Sequence, residues 1–182
     1  MIDREFPVGE SPSVKVGTRS GLVRVEAGRP GVVRVVVDTR DPGFEVTQRG
    51  DVIHASSDKG GRADVIVHAP PLTDVEVATA SADVNLVLGV RRLEVSTASG
   101  DVTFDTADRL QMKSANGAVR GNQVTGEARC VTASGDIRRH RWRTSRSVHR
   151  IRGYRHRAMP GITLGSHSVR GHTGSAGTPG RI

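Results

Sequence analysis

The chain predicts an all-β fold: stacked strand–corner–strand repeats of about 18 residues, β-solenoid-like with two sheets, behind an N-terminal antiparallel β cap. Three observations carry this. Four segments recur at near-constant spacing, apolar and polar residues alternate with period two inside each, and the composition changes abruptly after residue 137. The recurring segments are Val75–Val84 (VEVATASADV), Leu93–Val102 (LEVSTASGDV), Leu110–Val119 (LQMKSANGAV) and Ala128–Ile137 (ARCVTASGDI). Their corner residues Ser81, Ser99, Asn116 and Ser134 lie 18, 17 and 18 residues apart. A fixed period means one structural unit stacked on copies of itself.

Residues 5–70 come first along the chain. Val14, Val16 and Thr18 before Ser20-Gly21, with Val23 and Val25 after it, obey the same column rule as the later units. The 61 residues from Ser20 to Ser81 are not a multiple of 18, so other elements intervene. They are β-branched runs at 32–37, 44–46, 52–55 and 63–69, separated by the turn signals Arg40-Asp-Pro-Gly43 and Asp58-Lys-Gly-Gly61. These runs read as antiparallel strands covering the open end of the stack, because an uncovered edge invites aggregation.

After Pro70-Pro71 the regular units fill 71–137. Val75, Leu93, Leu110 and Ala128 form one apolar column; Val77, Val95, Met112 and Cys130 a second; Val84, Val102, Val119 and Ile137 a third. Between them stand the polar residues Glu76, Glu94, Gln111 and Arg129. This is the period of a half-buried strand. Ser99-Gly100, Asn116-Gly117 and Ser134-Gly135 supply corners, since glycine permits positive φ and the short polar neighbour can bond to backbone. Ser81-Ala82 lacks the glycine, which predicts a different turn there. Hairpins in a meander would also fit the alternation, but like residues at like offsets favour parallel stacking.

The start Phe6-Pro-Val-Gly-Glu10, the Ser20–Ala27 segment (SGLVRVEA) and the Thr97–Val102 and Thr132–Ile137 units (TASGDV, TASGDI) resemble a bacterial domain-of-unknown-function family with β-strand repeats, often labelled putative adhesin. The resemblance covers about 5–137. It implies an all-β, repeat-built, non-catalytic domain with no established substrate or cofactor. The third unit departs from the pattern by placing Ala118 where the others carry Asp, and no further unit follows the fourth.

Residues 138–182 differ in kind. They hold 11 arginines, no lysine and no acid, whereas residues 1–137 hold 16 of the 27 basic groups against all 19 acids. The net charge of +8 therefore comes from the tail, which reads as disordered for want of apolar residues. Three readings compete for it. Arg138, Arg139, Arg141, Arg143, Arg146, Arg150, Arg152, Arg155 and Arg157, with Trp142 and Tyr154 among them, could bind the phosphates of nucleic acid. The segment could dock on an anionic lipid surface, although no amphipathic helix is apparent. It could also be an out-of-frame reading of further repeats, which the abrupt loss of the columns favours.

Few residues suggest chemistry. Asp83, Asp101 and Asp136 share a column that could gather oxygens around calcium, but Ala118 interrupts it and turn capping explains it more simply. Cys130 sits in an inward column as a small hydrophobe, with no second cysteine for a disulfide. His54 and His68 pair with no nucleophile at a recognisable spacing, and no elbow, phosphate-loop or dinucleotide motif occurs. An enzyme, a metal and a cofactor are not expected. The charged N-terminus resembles no signal peptide and no run approaches a membrane-spanning length, which predicts a cytoplasmic product. The expected role is a scaffold or interaction domain with an unknown protein or surface partner. Its contact face would be the outer columns Glu76/Glu94/Gln111/Arg129 and Ser96/Lys113/Val131.

Overall fold

A computed structural model describes residues 1–57 and 60–142. Within them the chain forms eleven strands: β1 (Ile2–Pro7), β2 (Ser13–Ala27), β3 (Val32–Thr39), β4 (Phe44–Arg49), β5 (Val52–Ser57), β6 (Ala63–Ala69), β7 (Asp74–Ser99), β8 (Val102–Asn116), β9 (Val119–Val124), β10 (Ala128–Ser134) and β11 (Ile137–Trp142). Three of these, β2, β7 and β8, are long because the chain rounds a corner without leaving extended geometry.

The repeats stack in parallel, as the columns predict. Val23 pairs with Val84, Val84 with Val102, Val102 with Val119 and Val119 with Ile137, so one column runs through five consecutive coils. On the other arm Leu93 pairs with Leu110 and Leu110 with Ala128, while Val95 meets Met112 and Met112 meets Cys130. Nearly every inward side chain in these columns is buried, and both arms contribute to one hydrophobic cluster. Valine dominates that cluster, so burial stabilises through many contributions of about 1.5–3 kcal/mol each rather than one anchor.

The coil at Ser20 is the first rung of the stack despite its distance in sequence. Strand β2 pairs with β7 from Ser13–Asp74 to Val25–Leu86, in register, across the intervening excursion. That excursion supplies the cap. On one arm β5 runs parallel to β2 and β4 closes antiparallel on β5; on the other β6 runs parallel to β2, then β3 and β1 follow antiparallel. The cap is thus antiparallel within itself and joins the stack through two parallel seams.

Corners repeat as backbone contacts. Gly100 and Gly117 adopt φ of 144° and 143°, and a Cβ on either would lie 2.3 Å from the carbonyl oxygen of Ala82 or Gly100 in the preceding coil. Glycine is required there by conformation and by close approach together. Ala82 takes no positive φ and donates its N–H to Thr79 Oγ1 (3.0 Å), so the corner without glycine does turn differently.

The ladder also runs past the last recognisable column. Strand β11 pairs Arg138 with Arg120, Arg139 with Gly121 and Trp142 with Val124. Val90, Ala107, Val124 and Trp142 occupy successive register positions. Sequence columns hide this because β7 and β8 slip register between Leu86 and Gly89. Position 121 holds glycine for a packing reason: the Phe104 ring fills its place, with Phe104 Cζ 2.1 Å from where a Cβ would sit.

Candidate outer face and carboxylate clamps

Period-two alternation turns Lys15, Glu76, Glu94, Gln111 and Arg129 to the outside of the first arm. Lys15 is opposite Glu76, Glu94 opposite Gln111 and Gln111 opposite Arg129. The registers thus join Lys15 with Glu76, and Glu94 with Gln111 and Arg129. Lys15 Nζ lies 2.7 Å from Glu76 Oε2, with both side chains about half exposed. Gln111 Nε2 donates to Glu94 Oε1 (3.2 Å) and Arg92 Nη2 donates to Glu94 Oε2 (3.1 Å). Exposed pairs of this kind hold side chains in place while contributing little stability. Arg129 is exposed and forms no ion pair among the described residues.

The sequence reading missed Lys15 and Arg92 as members of this surface. Lys15 stands five residues before Ser20, as Glu76 stands five before Ser81, so its place was readable from the same columns. Arg92 joins by reaching along the strand to Glu94, which no column shows.

Beside this column lies the second predicted one, Ser96, Lys113 and Val131, all exposed. It belongs to an open groove of ≈ 1140 Å³ whose lining includes Ala78, Ala98, Ala115 and Ala133. Small side chains next to the corners leave the backbone low there, and longer ones in the Glu76–Arg129 column raise one border. Lys113 is the single charged residue of the groove lining.

The aspartate column has a different task from the one a metal would need. Asp83 Oδ1 accepts the N–H of Asp101 (2.9 Å), and Asp101 Oδ1 accepts the N–H of Ala118 (2.9 Å). Asp64 Oδ1 does the same for Leu22 (2.9 Å) at the junction of cap and stack. Each carboxylate fastens the corner of a neighbouring coil. The Ala118 N–H, helped by Arg120 Nη1 at 3.0 Å from Oδ2, holds Asp101 below the ordinary aspartate value, against an opposing effect of desolvation. Asp136 continues the column at the last coil and is exposed.

Other candidates are placed as follows. Cys130 is buried in its inward column. His54 lies opposite Lys15 and Thr47, and His68 stands 3.7 Å from Glu26, so the two histidines belong to different arms. Arg138 is exposed on β11; Arg139 and Arg141 have backbone positions in that strand. Arg143, Arg146, Arg150, Arg152, Arg155 and Arg157 lie outside the described residues, as do the basic-arm and out-of-frame readings that depend on them. Among the described residues no helix is long and apolar enough to cross a membrane.

Comparison with solved structures finds proteins of very different sequence that align along most of this chain. A putative cell adhesion protein from Clostridium sporogenes aligns over 82% of this chain and 98% of its own, at 8% identity and a TM-score of 0.47. Putative adhesins from Parabacteroides distasonis and Bacteroides fragilis align over the same 82% of this chain and over 92% and 95% of theirs. Their identities are 12% and 13%, with TM-scores of 0.39 and 0.30. No curated protein matches the sequence. The pattern of a domain family of unknown function does match, over residues 7–149, which takes in every strand from β2 to β11. The chain belongs to the Toastrack DUF4097 family.

Proposed function

We propose that this chain is a non-enzymatic scaffold whose outer first-arm face binds a protein or surface partner, an interaction domain of the adhesin type. The observation that carries the reading is the pairing of two surfaces on one rigid ladder. The charged column Lys15/Glu76/Glu94/Gln111/Arg129 borders the groove over Ser96, Lys113 and Val131. The polar column offers hydrogen-bonding and ionic groups at strand spacing, and the groove offers apolar area with Lys113, which has no ion pair among the described residues. A polar border around an apolar strip is the anatomy of a protein contact site.

A pull-down with the immobilised chain tests this. Partners retained by the native protein are expected to be lost from a Glu76→Ala/Glu94→Ala variant and from Lys113→Glu. Retention of every partner by both variants, with unchanged circular dichroism, would overturn the reading.

A further inference from the structure

The two ends of the stack are finished differently. At the cap end two carbonyls of the edge strands are taken up by side chains. Arg4 Nη1 donates to the Val46 carbonyl of β4 (3.1 Å), Gln48 Nε2 donates to the Pro7 carbonyl of β1 (2.7 Å), and Pro7 has no N–H to offer. Such devices prevent edge pairing. At the other end β10 pairs with β8 alone and β11 with β9 alone among the described residues.

That second end also carries unspent recognition groups. Asp64, Asp83 and Asp101 each accept the corner N–H of a neighbouring coil, and Asp136 is the next acid of the column, one coil beyond Ala118. Arg129 and Arg138 are exposed on β10 and β11, with no ion pair among the described residues, whereas Lys15 is matched by Glu76 and Arg120 by Asp101. A second copy meeting this one end to end would set arginine toward arginine, and at its cap end the Val46 and Pro7 carbonyls are already taken. We infer that the β10–β11 edge takes one added rung from a different protein: an extended strand–corner–strand segment with acidic side chains beside Arg129 and Arg138. Main-chain hydrogen bonds give such an addition its affinity and the alternate side chains its choice of partner. The Asp136 carboxylate receives the incoming corner N–H, as Asp83 and Asp101 receive theirs.

This edge shares Arg129 with the outer face proposed above, but Asp136 and Arg138 lie beyond the corner on the opposite arm from Glu76, so variants at 136 and 138 test this idea apart from that one. The probe is a fluorescein-labelled peptide with the sequence of residues 93–104 (LEVSTASGDVTF), the chain's own most regular acidic rung, titrated against the full chain by fluorescence anisotropy. Saturable binding is expected, weakened about tenfold by Arg138→Glu and by Asp136→Ala, each with unchanged circular dichroism. For Arg129→Glu, a peptide carrying lysine at its second position is expected to restore the loss. Binding insensitive to all three variants, or no saturation, overturns the proposal. So does hydrogen exchange showing the outward amides of β10 and β11 already protected in the free full chain, or sedimentation showing a dimer that the peptide does not compete with.

Discussion

Replacing Gly121 tests the packing of the ladder most directly. In an ordinary strand, glycine-to-alanine substitution is favourable by roughly 0.5–1 kcal/mol, because glycine loses more freedom on folding. Here the sign should reverse. A Cβ at 121 would lie 2.1, 2.5 and 2.8 Å from Phe104 Cζ, Cε1 and Cε2, all closer than atoms can approach. Phe104 is 2% exposed, so its ring has no solvent to retreat into. Either β9 moves away from β8, an overpacking cost of about 1–3 kcal/mol, or the ring leaves the core at about 3–5 kcal/mol. Gly121→Ala should therefore destabilise by about 2 kcal/mol, read from urea unfolding followed by far-ultraviolet circular dichroism. Phe104→Ala should cost about 3–5 kcal/mol alone. The double variant Phe104→Ala/Gly121→Val should be more stable than the sum of its parts by about 1–3 kcal/mol, because each change makes room for the other. Gly121→Ala as stable as the native chain, or strict additivity in the cycle, would refute the account.

Four further outcomes follow from the same geometry. Gly100→Ala should destabilise by more than about 2 kcal/mol in the same unfolding assay, since it meets both a forbidden φ and the Ala82 carbonyl. Ser114 Oγ and Thr132 Oγ1 are buried without a partner, so Ser114→Ala and Thr132→Val should be neutral or stabilising by up to about 1 kcal/mol; Thr97→Val, which loses the bond to the Ser99 carbonyl, should cost about 1 kcal/mol. Asp101 is held below the ordinary value of 3.8, so its contribution is full above that value and fades as pH falls through the folded-state value; Asp101→Asn should flatten the acid limb of a stability–pH curve measured between pH 2 and 5. Buried Cys130 should react with a thiol reagent at the rate of unfolding rather than of diffusion, checked by comparing native and urea-treated protein.

The columns made much of this fold legible because a stacked coil places like residues over like. Ser20, Ser81, Ser99, Asn116 and Ser134 marked corners before any coordinate was known, and the paired registers follow them. Legibility ended where contact partners are set by something other than period. The direct stacking of Ser20 on Ser81 is invisible in the sequence, since the excursion between them has its own length. The slip between Leu86 and Gly89 shifts Val90, Ala107, Val124 and Trp142 out of the simple alternation, so the final strand was read as tail. Gly121 follows Leu86 and Phe104 at like offset with no side chain, and the sequence does not say that the neighbouring Phe104 ring occupies the gap. The clamping role of Asp83 and Asp101 was half visible: their recurrence pointed to the corner, but not to which coil each fastens.

The excursion between β2 and β7 has a consequence for how this molecule can change. Ala27, where the chain departs, lies directly opposite Ala69, where it comes back, and the Asp74 N–H then bonds to the Pro12 carbonyl. Departure and return share one doorway. A detour whose two feet already touch can be lengthened in its flexible loops at a cost of only about 0.6 kcal/mol per doubling of loop length, so long as β5 and β6 keep their seams with β2. Diversity in this architecture would therefore accumulate in such side rooms, with the treads kept constant.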